Sequence, residues 1–125
     1  MNEINNMIPQ ALAAVRKHLL SNGSIQKEYN GYIASFGASI KQSGLPITVA
    51  MFARADRKSD GASKELILKC IFDVVNNQPI TSMNATNLLE FFEKNNSGTP
   101  YINNRIEQAA IAIKLALRTF PQSKN

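Results

Sequence analysis

Arg54, Arg57 and Lys58 stand at i, i+3 and i+4, a spacing that projects three cations from one side of a helix end. Lys64 and Lys69 follow in the next helical pattern, Lys41 precedes a chain break, and Lys114 and Arg118 form an i, i+4 pair near the C-terminus. Side chains of this kind can hold a polyanion, because cations that neutralise phosphates gain affinity by releasing counterions, whatever the sequence of the partner. Each also has a plainer use, since a cation in the last turn of any helix compensates its dipole. Tyr29, Tyr32, Phe36, Phe91 and Phe92 have faces on which bases could stack, yet they lie on apolar helical stripes and read as core.

Catalytic chemistry is poorly supplied. His18 is the single histidine, so a histidine-rich metal site is excluded, and zinc-ligand spacing is absent. Cys70, the single cysteine, falls on an apolar stripe and reads as a small buried hydrophobe; it cannot form an internal disulfide. Glu90 and Glu93 could share acid–base work only in a cleft that splits their pKa values, and next to Lys94 they read as a solvated face. The glycines are scattered and none opens a phosphate-binding Gly-Lys-Ser/Thr motif. The expectation is a protein without catalysis, metal or cofactor, acting through its surface.

The chain of 125 residues fits one domain, 1–125, because two cores of half that size would be marginal. Fourteen Lys and Arg against nine Asp and Glu give +5, a moderate excess compatible with a polyanionic partner and equally with a basic solvated surface. No apolar run is long enough to span a membrane and no signal peptide is recognisable, so the expected location is the cytoplasm.

Helical periodicity recurs almost throughout. Ile4, Ile8, Ala11, Leu12, Val15 and Leu19 make a first stripe, with Pro9 near its start, and Ser21-Asn22-Gly23-Ser24 reads as a stop and a new cap. Ile25, Tyr29, Tyr32, Ile33, Phe36 and Ile40 make the strongest stripe; Gly31 and Gly37 inside it suggest close approach of a neighbouring helix. Gly44 reads as a left-handed cap and Pro46 as the first turn of a third helix over about Leu45 to Arg57. After the polar loop 58–62, a fourth helix carries Leu66, Ile67, Cys70, Ile71 and Val74, and it stops at Asn76-Asn-Gln-Pro79. A short fifth holds Leu88, Leu89, Phe91 and Phe92. A sixth opens at Thr99-Pro100 and runs to about Phe120 with Ile102, Ile106, Ala109, Ala110, Ile113 and Leu117 inward. Residues 121–125 read as a frayed tail, and no segment has the period of a strand. The fold class is all-α, a single compact bundle of about six helices.

Tyr29 to Arg54, with Phe36 and Ile40-Lys41 before Gly44-Leu45 and Ala50-Met51-Phe52 after it, resembles a CRISPR-associated family: the small helical subunit, fifth in name, of the Cmr (type III-B) effector complex. The stretch from Tyr101 through Glu107, Ala109 and Ala110 to Lys114 and Arg118 is similar to that family's last helix. The resemblance implies a non-catalytic subunit of an antiviral ribonucleoprotein, with the other Cmr subunits, guide RNA and target RNA as partners. It also implies several copies stacked head to tail along the guide–target duplex, touching phosphates without reading bases. On that footing Lys41, Arg54, Arg57 and Lys58 become candidate RNA-backbone contacts, with Lys64, Lys114 and Arg118 added to them. Two other readings stay open: a helical DNA-binding regulator using the break as a helix-turn-helix, and a structural adaptor whose basic face meets an acidic protein.

Overall fold

Where the apolar stripes are long, helices form. The computed structural model describes residues 3–54, 63–76, 87–95 and 100–123. Within them the order is α1 (Glu3–His18), β1 (Leu20–Ser21), β2 (Ser24–Gln26), α2 (Glu28–Ser43), α3 (Leu45–Ala53), α4 (Lys64–Asn76), α5 (Leu88–Asn95), α6 (Pro100–Leu117) and β3 (Gln122–Ser123). The fold is helical, as the periodicity requires, with one very small sheet added.

α1 packs most extensively against α6 and next against α4, while α2 lies against both α3 and α6. The shared core takes Met7, Ala11 and Val15 from α1, Tyr29 and Phe36 from α2, Val49 and Phe52 from α3, Ile67, Ile71 and Val74 from α4, and Ile106, Ile113 and Leu117 from α6. Edge-to-face contacts fix the aromatic members: Phe36 on Phe52 at 5.2 Å and Tyr29 on Tyr32 at 5.6 Å between centroids. The Tyr29 hydroxyl also accepts the Ser63 N–H at 3.1 Å and so ties α2 to the start of α4. At α5 the Asn87 Oδ1 accepts the Glu90 N–H at 2.8 Å, an N-cap.

Several sequence expectations need correction. Ser21 to Ser24 is not a helix stop and cap but a β-hairpin: Asn22 (φ 54°) and Gly23 (φ 81°) turn the chain, and Leu20 pairs with Ile25. Asn-Gly between short extended arms is the commonest two-residue hairpin signal, because both positions tolerate positive φ. Ile25 is therefore a buried strand residue and α2 begins only at Glu28. Within the tail expected to fray, Gln122 and Ser123 pair in parallel with Ile25 and Gln26, and Gln122 Nε2 donates to the Leu117 carbonyl at 3.1 Å, closing the end of α6. Pro9 sits inside α1 and not in its first turn, a cost that the helix's extensive packing offsets. Gly31 and Gly37 serve no close approach among the described residues, since a Cβ on either would meet nothing within 4 Å. The described part of α3 ends at Ala53, and Arg54 has left the helix (φ −102°, ψ 2°); the loop 58–62, Pro79 and Thr99 lie outside the described residues.

The break itself is tighter than a left-handed cap. Gly44 has φ 87° and ψ 164°, a region that is essentially glycine-only. Its N–H closes α2 on the Ile40 carbonyl at 2.9 Å, and its own carbonyl oxygen lies 2.8 Å from the hydroxyl of buried Thr48, which is also 2.8 Å from Ser39 Oγ. Gly44→Ala is expected to cost about 1–3 kcal/mol through backbone strain alone, as a Cβ there meets no neighbour. Gly31→Ala, in an exposed helical position, is expected to gain roughly 0.5–1 kcal/mol. Urea midpoints of the two variants on opposite sides of the parent check both statements.

Candidate functional site

Of the seven cationic candidates, the structure brings two to one place. Lys41, in the last turn of α2, and Lys114, in the last turn of α6, line the same groove of about 430 Å³. Its floor is made by Ala34, Gly37 and Ala38 of α2 with Ala110 and Ile111 of α6. Both lysines are exposed, and among the described residues neither has an ion-pair partner. Two uncompensated ammonium groups against one carboxylate, Glu107, leave the groove net positive. Helix dipoles favour a cation at both helix ends, but they do not require the two to face one groove. The small floor residues matter here: with no side chain on Gly37 and only methyl groups on Ala34 and Ala38, an extended ligand can lie close to the α2 backbone.

The remaining candidates are arranged differently. Arg54 is exposed and stands 3.7 Å from Glu93 Oε2, a loose surface pair that an incoming anion can displace at little cost. Lys64 is half-buried, its ammonium 5.3 Å from the Phe52 ring centre and 5.7 Å from that of Tyr32, so it closes an aromatic edge of the core through cation–π contact. Arg118 is exposed in the turn that follows α6. Arg57 and Lys58 lie outside the described residues.

Sequence reasoning missed Glu107, Gly37 and Ile111 as groove residues. Glu107, Ile111 and Lys114 stand at i, i+4 and i+7, which could have marked one face of the last helix. Ile111 is 45% exposed, which the structure alone reveals. Arg105, by contrast, is buried at 7%, with Nη1 3.5 Å from Gln108 Oε1, and serves the fold.

A second concavity, about 330 Å³, opens where α4 meets the ends of α1, α3 and α5. His18 Nε2 is 2.7 Å from Asp73 Oδ2 on its wall, with the two side chains 15% and 32% exposed. Cys70 points elsewhere: it is fully buried, its Sγ 3.6 Å from the Ala14 carbonyl oxygen, and burial followed by the negative charge of Asp73 pushes its thiol well above the usual 9.0. The folded thiol is a poor nucleophile. Stability contributed by keeping it protonated is complete below pH 9.0 and declines above it, where the unfolded thiol ionises and the folded one does not. Glu90 and Glu93 pair with Lys94 (3.6 Å) and Arg54 (3.7 Å) on the surface. Among the described residues no group of three or more His, Cys, Asp or Glu could hold a metal ion, and no helix is long and apolar enough to cross a membrane.

A family model described as CRISPR-associated protein (Cas_Cmr5) matches residues 5–114, a span that holds both groove lysines and stops short of Arg118. Comparison with curated proteins gives no match, and comparison with solved structures gives none.

Proposed function

The chain belongs to the CRISPR-associated Cmr5 family, and on that premise we propose that it serves as a non-catalytic small subunit of a type III-B (Cmr) ribonucleoprotein effector in the cytoplasm. Family membership makes the other Cmr subunits its partners. In this reading the backbone of the guide–target RNA runs along the groove between α2 and α6, and the subunit acts in antiviral defence by holding that duplex. The observation that carries it is the convergence of Lys41 and Lys114 on one net-positive groove. Two point cations over a floor of small and apolar side chains suit a partner recognised by backbone charge and A-form shape, whose ribose faces can lie on Ala34, Gly37 and Ala38. Nothing in such a groove favours one base over another, which a subunit accepting any guide requires.

Arg54, with Arg57, Lys58, Lys64 and Arg118, forms the wider set of proposed phosphate contacts. Arg54 and Arg118 are the better placed of the described members, being exposed, whereas Lys64 would have to leave its aromatic neighbours. Stacking of several copies head to tail needs two different complementary faces. Exposed Ile47 and Met51 on α3 and exposed Leu115 on α6, none of which lines the groove, supply apolar surface on separate elements. The same Ile47 and Met51 weigh against a DNA-reading regulator, since α3 carries no charged residue in its first or last turn where a recognition helix would need base-reading side chains. Purification of the tagged protein from its native cell tests the reading. Co-recovery of Cmr subunits with short guide RNAs is expected; recovery with duplex DNA and no guide RNA would overturn it.

A further inference from the structure

The concavity beside His18 has a chemistry opposite to that of the lysine groove. Its inner wall is apolar, from Leu68 and Phe72 of α4 and Leu88 and Leu89 of α5. Along the same side of α4 stand Glu65, Lys69 and Asp73, one helical turn apart, and all three line the space. Glu65 has no hydrogen-bond or ion-pair partner among the described residues, so both its oxygens are open. Asp73 gives one oxygen, Oδ2, to His18, which fixes the carboxylate and leaves Oδ1 for the space. Lys69 is exposed and makes no ion pair with either carboxylate.

We propose that this pocket is an anchor site for an arginine side chain presented by a protein partner. Two carboxylates against the single ammonium of Lys69 leave the space net negative, which disfavours a phosphodiester and favours a cation. The apolar wall fits the aliphatic stem, and the ring of Phe72 suits a planar guanidinium better than a compact, strongly hydrated ammonium. Glu65 takes the fork of two parallel N–H donors, while Asp73, two helical turns further along α4, adds its negative charge to the same space. A single arginine seated in a partly desolvated pocket is the kind of contact on which protein interfaces concentrate their affinity. The volume of 330 Å³ is at the lower end for ligand pockets and takes one large side chain without requiring the protein to open. This inference rests on the reading of the chain as a subunit with protein neighbours, and not on its RNA contacts.

The test is an NMR titration of the full chain with Nα-acetyl-L-arginine amide, beside the lysine analogue and adenosine monophosphate. Arginine is expected to shift the signals of Leu68, Phe72 and Leu88 and to bind more tightly than the lysine analogue. Glu65→Gln, at a half-exposed position with no partner to lose, is expected to weaken binding at least about threefold, while Lys69→Met strengthens it by about twofold. The sign of the Lys69 effect separates cation from anion. Tighter binding of adenosine monophosphate, weakened by Lys69→Met, would overturn the proposal, as would the absence of any shift with arginine up to about 50 mM. Neither variant touches the α2–α6 groove, so RNA retention by Glu65→Gln separates failure of the pocket from failure of the RNA reading.

Discussion

Replacing both groove lysines, Lys41→Glu with Lys114→Glu, is expected to lower guide–target RNA retention by the subunit at least about tenfold and to flatten its salt dependence. Every phosphate left without its lysine takes about 0.7–0.9 off the slope of log affinity against log salt, so the slope for the double variant should fall by roughly 1.4–1.8. The carboxylates that replace the lysines then repel the same backbone, which deepens the effect. The fold should survive, because both residues are exposed and neither has an ion pair to break. A carboxylate near a helix C-terminus costs about 0.3–1 kcal/mol at each site, measurable in a urea curve but too little to unfold a domain. Lys17→Glu with Lys27→Glu is the matched control: both residues are exposed, neither lines the groove, and the change in net charge is the same. Retention measured by filter binding at several salt concentrations should fall for the groove pair and change little for the control. Equal effects in both would reduce the groove to part of a diffuse basic surface.

Phe36→Ala should have the largest effect on the fold. Phe36 is fully buried in α2 and meets Phe52 of α3 edge to face at 5.2 Å, so it joins the two helices on either side of the break. Truncation removes the transfer free energy of the ring and leaves a cavity, together about 3–5 kcal/mol. A domain of this size is stable by only about 5–15 kcal/mol, so the variant should be half unfolded at much lower urea, or not fold at all at moderate temperature. Ile47→Ala and Met51→Ala remove side chains of comparable bulk that are 56% and 57% exposed, and each should stay within about 0.5 kcal/mol of the parent. A Phe36→Ala urea midpoint close to that of Ile47→Ala would mean that packing of α2 on α3 does not hold the chain together.

The helical part of this structure was legible because the signal is local. The stripe Tyr29, Tyr32, Ile33 and Phe36 is buried as its spacing requires, and so are Ile67, Cys70, Ile71 and Val74 in α4. What escaped was either a turn signal passed over or a matter of long-range geometry. Asn22-Gly23 carries a hairpin signature, but helical periodicity on both sides suggested a cap. The pairing of Gln122 with Ile25 joins residues nearly a chain length apart and leaves no local trace. Thr48 and Arg105 break the apolar pattern although both are buried, since periodicity registers only apolar atoms; for Thr48, hydrogen bonds to Gly44 and Ser39 offset the cost of burying its hydroxyl.

The candidate site shows the same division. Sequence spacing drew attention to Arg54, Arg57 and Lys58 because they are neighbours in the chain. Lys41 and Lys114 are far apart in sequence, and only the packing of α2 on α6 sets them in one groove. The family resemblance found in Tyr29 to Arg54 and in the last helix is carried by those two elements and is matched by a family model over residues 5–114.

Protein–RNA crosslinking on the purified effector, with the adducts located by mass spectrometry, tests the RNA reading most directly. Adducts are expected on the α2 segment around Lys41 and the α6 segment around Lys114, recurring along the length of the guide–target duplex. Adducts confined to α1 or α4, or none on this subunit while its neighbours crosslink well, would contradict it.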